Sequence, residues 1–199
     1  KSLPDSQKDL FYSPSFSKFT QANIYKNYEV KCFIALDKTD FILCPFILRK
    51  FFFNKKSFFD ITSLYPHGGP ISNNPKNLQL KKYFQDKCID YCNKNKIKNF
   101  LIRYHPAVGF KLSNLQNFKN IDTGDFIYVD LQKIDENDIL KNFNRNVNRG
   151  INKAIKFNIE TLISNDEKYI LEFYDLYSKE MKRKKADKFY FFPKEFFLN

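Results

Sequence analysis

Leu64-Tyr65-Pro66-His67-Gly68-Gly69-Pro70 is the stretch on which the fold of this chain turns. Two of the chain's five glycines sit side by side here, between prolines. Gly-Gly admits positive φ or a close approach to another group, and the prolines stiffen the entry and exit. The residues before it, Phe58–Ser63, read as a strand, and those after Pro75 as a helix. A rigid turn between a strand and a helix is a common place for a ligand site. A tight structural turn is the competing reading.

Upstream, Ser13-Pro14 with Phe16, Phe19 and Ile24 predicts a short helix with Pro14 near its first turn. Lys1–Tyr12 is polar and is expected to be partly mobile. Val30–Leu36 and Phe41–Leu48 are nearly continuous apolar runs, as in strands covered on both faces. Asp37-Lys38-Thr39-Asp40 between them reads as a hairpin turn. Downstream, Asn74-Pro75 predicts the cap and first turn of a helix with Leu80, Phe84, Cys88, Tyr91 and Cys92 on one face. Asn99–Tyr104 reads as a strand closed by His105-Pro106, Gly109–Asp122 as irregular, and Phe126–Leu131 as another strand.

A long helix is expected from about Glu136 to Phe157. Its apolar face is Leu140, Phe143, Val147, Ile151 and Ala154, and Arg145, Arg149, Lys153 and Lys156 gather opposite. Ile159–Ile163 reads as a short strand. Ser164-Asn165-Asp166-Glu167 reads as a capping box for a helix that buries Ile170, Phe173, Tyr174, Tyr177 and Met181 and ends in the basic run Lys182–Lys185. Strands and helices in this order predict an α/β or mixed α+β fold, a central mixed sheet with helices on both faces.

A length of 199 residues suits one domain or two small ones, and 43% hydrophobic residues with 18% aromatics exclude a disordered chain. The net charge of +12 points to an anionic partner: nucleic acid, nucleotide, phosphate or membrane surface. The richness in Lys, Asn, Ile, Phe and Tyr is also what an AT-rich genome encodes, which accounts for part of that charge. Cys32 and Cys44 fall in apolar runs and read as core. Cys88 and Cys92 share a helix face, but no second Cys/His pair accompanies them. All four are expected to be free thiols in a reducing cytoplasm, with no metal. No apolar run is long enough for a transmembrane segment. A start at Lys1 and a stop soon after Pro193 opens a helix lead us to expect a piece of a longer protein.

Four landmarks occur in order. They are Tyr65-Pro66-His67-Gly68-Gly69-Pro70 after an apolar hairpin; Arg103-Tyr104-His105-Pro106 after a strand; Asn144 to Ala154 followed by Phe157-Asn158-Ile159; and Phe173 to Arg183 followed by Phe189-Tyr190-Phe191-Phe192. Together, over about residues 28 to 197, they resemble the Fem-type (FemAB-like) branch of the GNAT acyltransferase superfamily. That branch includes peptidoglycan aminoacyltransferases and acetyltransferase-like proteins of surface-polysaccharide pathways.

The resemblance implies a segment 1–27, a GNAT-like domain over 28–165, and the start of a second, truncated GNAT-like half over 166–199. It implies acyl or aminoacyl transfer to an amine, with acetyl-CoA or aminoacyl-tRNA as donor and a nucleotide-linked amino sugar or peptidoglycan precursor as acceptor. Two departures stand out. His67 adds a position to the turn, and the acyl-CoA pyrophosphate loop (Arg/Gln)-x-x-Gly-x-(Gly/Ala) is missing, since Val147 and Asn152 around Gly150 do not fit it. A CoA donor site is therefore expected outside this chain.

An attacking amine must lose a proton, so His67 and His105, the only histidines, are the candidate bases. Tyr65, Gly68, Gly69 and Arg103 are candidates for the acceptor pocket. Arg145, Arg149 and Lys153 would hold phosphates, because guanidinium forks match phosphate oxygens. Arg183 is the contact candidate on its helix. Ordinary turn, core and solvated-face roles compete with each of these. So do two other functions: a basic module binding RNA or tRNA, and a catalytically idle GNAT-like scaffold. No RNA-recognition, zinc-finger or helix-turn-helix signature is present.

Overall fold

In the computed structural model, residues 2–112, 119–130, 133–135, 140–141 and 143–198 are described. β1 (Glu29–Asp37) and β2 (Asp40–Phe53) pair antiparallel about a turn in which Lys38 takes φ 49°. β2 runs on past the expected Leu48 and turns back at Asn54-Lys55, with φ 48° and 61°, into β3 (Lys56–Ser63). Two successive positive φ values match the twist of the flanking strands. The chain then passes the Gly-Gly turn, makes the short β4 (Ile71–Ser72) beside β2, and enters α2 (Leu78–Lys94). α2 crosses over so that β5 (Ile97–Leu101) lies parallel to β3. The result is a five-stranded mixed sheet in an α+β fold, in the order β1-β2-β3-β5 with β4 beside β2.

The sheet is covered on both faces because β2 alternates. Ile42 and Cys44 point one way, packing with Ala35, Leu80, Phe84, Cys88 and Leu112 under α2. Ile47 points the other way and packs with Tyr25, Leu64, Phe16 and Val30 beside α1 (Pro14–Asn23), whose cap Ser13 accepts from the Phe16 N–H. Burial raises the Cys88 thiol to about 12 and leaves it protonated.

α3 (Arg145–Lys156), α4 (Glu167–Arg183) and α5 (Lys194–Leu198) contain no buried residue. Phe197 meets Phe173, Tyr174 and Tyr177, which joins α5 to α4. Phe196 lies 5.2 Å from Phe19 of α1, so aromatic rings tie this C-terminal part to the sheet domain.

Several expectations are corrected. Segment 2–12 is docked at two points where partial mobility was expected: Tyr12 is buried, and Gln7 Oε1 accepts from the Gly109 N–H. α2 starts from a cap at Asn77, not Asn74, because the side-chain amides of both residues donate to Asp40 and hold the intervening residues in a turn. Cys32 is exposed, since β1 is an edge strand and that side chain lies off the α2 face. Phe126–Asp130 and Ile159–Ile163 form no strand, and among the described residues no strand pairs with either. Leu131 lies outside the described residues, as do 136–139 and 142 of the expected long helix, which begins as α3 at Arg145 under the Asn144 cap. Phe173 is exposed and Ile170, Tyr174, Tyr177 and Met181 are only half-buried, because no sheet covers α4. No helix among the described residues is long and apolar enough to cross a membrane.

Candidate functional site

β3 and β5 are parallel, so the chain leaves both at the same end of the sheet. This places the Gly-Gly turn beside Arg103–Pro106. The Gly68 N–H donates to the Arg103 carbonyl at 2.8 Å, and the His105 N–H donates to the Gly68 carbonyl at 3.1 Å. The Tyr12 hydroxyl donates to the same Gly68 carbonyl at 2.9 Å, and the Arg103 N–H donates to Ser63 Oγ at 3.0 Å. The Tyr65-Pro66 peptide is cis.

Both glycines are needed by the protein's own packing. A Cβ on Gly68 would stand 2.8 Å from the Ser63 Cβ. Gly69 has φ 97°, and a Cβ there would stand 3.0 Å from the Tyr104 ring. The two are buried, so their contribution to a site is to bring flanking side chains together, not to cradle a ligand.

Those side chains form one cluster. The His67 and His105 rings meet edge-on at 5.6 Å, and Phe11 packs on both at 6.0 and 5.8 Å. His105 Nδ1 accepts from the Ala107 and Val108 N–H groups, so the neutral ring carries its proton on Nε2, which faces Asp9 Oδ2 at 3.4 Å. Both nitrogens of His105 are thus engaged. The His67 ring has no hydrogen bond among the described residues. Burial, then the neighbouring His105 and Arg103, lower its pKa against a smaller opposing pull from Asp9, which favours the neutral imidazole. The Arg103 guanidinium lies 5.7 Å from the centre of the Tyr65 ring, a cation–π distance. Phe189 closes on the other side of that ring at 5.1 Å and Phe192 at 6.3 Å. Burial raises the Tyr25 hydroxyl pKa, against smaller lowering pulls from Arg103, the Tyr65 backbone and Arg49.

Tyr65, His67, Gly68, Gly69, Arg103 and His105 therefore come together, as the sequence order alone could not guarantee. The other candidates do not join them. Arg183 spends its guanidinium on Glu180, two bonds of 2.7 Å, and holds that carboxylate down at about 2. Arg145, Arg149 and Lys153 line α3 with no ion pair among the described residues, and no hydrogen bond or ring contact links them to the turn. Two open hollows of about 280 and 370 Å³ lie against α1 and β1 and between α4 and Leu162, and none of these candidates lines either.

The start of α3 and Gly150 do not fit a coenzyme A pyrophosphate. Such a group sits on free N–H groups at a helix N-terminus, whereas Gly150 lies mid-helix and the first N–H groups of α3 are taken by Asn144 Oδ1. Among the described residues no three of His, Cys, Asp and Glu gather into a metal site.

Sequence reasoning missed Asp9, Phe11, Tyr12 and Tyr25. The signal was present: Asp9 caps the short 3-10 turn Leu10–Tyr12, and an aromatic pair directly before Ser13-Pro14 has to be buried somewhere. Comparison with models of known protein families, with curated proteins and with solved structures finds no match to this chain.

Proposed function

We propose that this chain is an N-acyltransferase-like protein whose Tyr65–Gly69 turn forms the acceptor end of the site. His67 takes the proton of the acceptor amine as its nitrogen attacks the donor's carbonyl carbon; the tetrahedral adduct then breaks the donor's carbon–sulfur or carbon–oxygen ester bond, and the departing thiolate or ribose oxygen takes that proton from His67. Arg103, stacked on Tyr65, holds an anionic group of the same acceptor. The acceptor class is a nucleotide-linked amino sugar or peptidoglycan precursor of cell-envelope or surface-polysaccharide synthesis, used in the cytoplasm. One observation carries the reading: an imidazole biased to its neutral form, with no hydrogen bond among the described residues, sits beside a guanidinium stacked on a tyrosine. A general base must be unprotonated to act. His105 positions the turn, because both its nitrogens are engaged.

Calorimetric titration with nucleotide-linked amino sugars, followed by turnover of the full-length protein with acetyl-CoA or aminoacyl-tRNA as donor, tests the proposal. Arg103→Ala should weaken acceptor binding about tenfold or more, as for a charge-assisted contact. His67→Gln should leave binding intact and abolish transfer. Binding unchanged by Arg103→Ala, or transfer unchanged by His67→Gln, refutes the assignment.

The unpaired cationic stripe of α3 favours a second reading, an RNA- or tRNA-binding surface. RNA affinity would fall steeply with salt and would be lost in Arg145→Gln/Arg149→Gln/Lys153→Gln, while a small nucleotide sugar would respond to salt far less.

A further inference from the structure

The β2–β3 hairpin carries chemistry that acceptor binding does not use. β1 pairs with β2 only as far as Leu48, and β5 pairs with β3 only from Phe59. Lys50–Phe59 thus projects from the sheet as a two-stranded ribbon that turns at Asn54-Lys55. At its tip Phe51, Phe52 and Phe53 are 39%, 72% and 64% exposed. The pairing register places Phe51, Phe53 and Phe58 on one face and Phe52 and Phe59 on the other. The apolar surface therefore wraps the ribbon on both sides.

Cations surround it. Residues 50–59 contain three lysines and no carboxylate. Lys50 lies over the Phe52 ring at 5.4 Å, and Lys98 of β5 lies over Phe58 at 5.6 Å. Among the described residues none of Lys50, Lys55, Lys56 and Lys98 forms an ion pair, and the nearby Asp60 is held by Arg49.

An aromatic wedge ringed by unpaired ammonium groups complements the boundary of an anionic bilayer. There the rings find apolar surroundings on every side and lysine stems reach back to the phosphates. We propose that the β2–β3 tip docks this protein on anionic phospholipid membranes. Phe51–Phe53 enter the interface, and Lys50, Lys55, Lys56 and Lys98 meet the lipid phosphates. Single-stranded RNA fits less well: it runs in a basic groove with its bases stacked on aromatic platforms, whereas this tip projects and carries its rings on opposite faces. The inference does not rest on the acyltransferase reading.

Co-sedimentation with vesicles of phosphatidylcholine, with and without phosphatidylserine, tests it. The protein should partition onto the anionic vesicles and lose about fivefold for each of Lys50→Gln, Lys55→Gln and Lys56→Gln. Phe52→Ser/Phe53→Ser should lose about tenfold or more. The chain has no tryptophan, so Phe52→Trp provides a single emission that should shift to the blue on anionic vesicles. Melting temperatures of these variants should stay near that of the parent, because the replaced side chains are exposed. The proposal is overturned by absence of binding to anionic vesicles, by equal binding to neutral ones, or by binding unchanged in the phenylalanine variant. It also fails if the α3 triple variant, and not the hairpin variants, abolishes binding, or if RNA oligonucleotides bind through the tip while vesicles do not.

Discussion

Gly68→Ala is the substitution on which the account of the turn can be tested most sharply. The added Cβ would stand 2.8 Å from the Ser63 Cβ, closer than two carbons tolerate. Ser63 cannot yield by a side-chain rotation, since the clash is at its Cβ, and its Oγ also holds the Arg103 N–H. Gly68 cannot yield either, because its N–H and carbonyl are bonded to Arg103 and His105. Overpacking of this kind costs about 1–3 kcal/mol, offset by about 0.4–1 kcal/mol from the stiffer unfolded chain. A net loss of about 1–2 kcal/mol should lower Tm by about 2–4 °C per kcal/mol for a chain of this size. The sharper reading is a double-mutant cycle followed by urea unfolding. Ser63→Gly removes the opposing Cβ, so Gly68→Ala should cost less in that background, with a coupling of about 0.5–3 kcal/mol. Additive costs would refute the close-approach argument and return Gly68 to the candidate ligand contacts.

Three further outcomes follow from the same geometry. Because the folded state lowers the His67 pKa, the unfolded state binds more protons as pH drops below the ordinary value of 6.5, so that increment of stability is present above it and lost as pH falls through the folded value; across that range the parent's urea midpoints should fall relative to those of His67→Gln. Phe84→Ala should cost about 3–5 kcal/mol, since the ring is buried under the sheet, whereas Arg149→Ala on exposed α3 should stay within about 0.5 kcal/mol; thermal melts compare the two, and a large loss at Arg149 would show that α3 is packed. Arg49→Met should destabilise by about 1–3 kcal/mol, because it strands the mostly buried Asp60 carboxylate that Arg49 holds through bonds of 2.8 and 2.6 Å, and Asp60→Asn should restore part of that loss.

What could be read without coordinates was local periodicity. The spacing of Leu80, Phe84 and Cys88 identified the buried face of α2, and Ser13-Pro14 and Asp37–Asp40 marked a helix start and a hairpin. Those signals depend on residues within a turn or two of each other. The Asn54-Lys55 turn escaped because an unbroken phenylalanine run hides the alternation that a hairpin normally shows. Periodicity also names a face without saying whether anything lies over it. α3 and α4 have the expected apolar sides yet no buried residue. In the same way Phe126–Asp130 and Ile159–Ile163 have strand-like composition and form no strand, since a strand exists only with a partner.

The sequence by itself therefore determined the mixed sheet-and-helix class, the covered faces of β2 and α2, and a tight Gly-Gly turn at 68 and 69. Tertiary structure decided which distant residues share a site. The parallel pairing of β3 with β5 sets His67 against His105, and the docked N-terminus brings Asp9 to one and Tyr12 to the turn. Among the described residues it gave the α3 stripe no ion pair with that cluster. The physical reason is range: hydrogen-bonded turns and helical faces are written over a few residues, whereas a pocket is assembled by strand order, which only the packed sheet specifies.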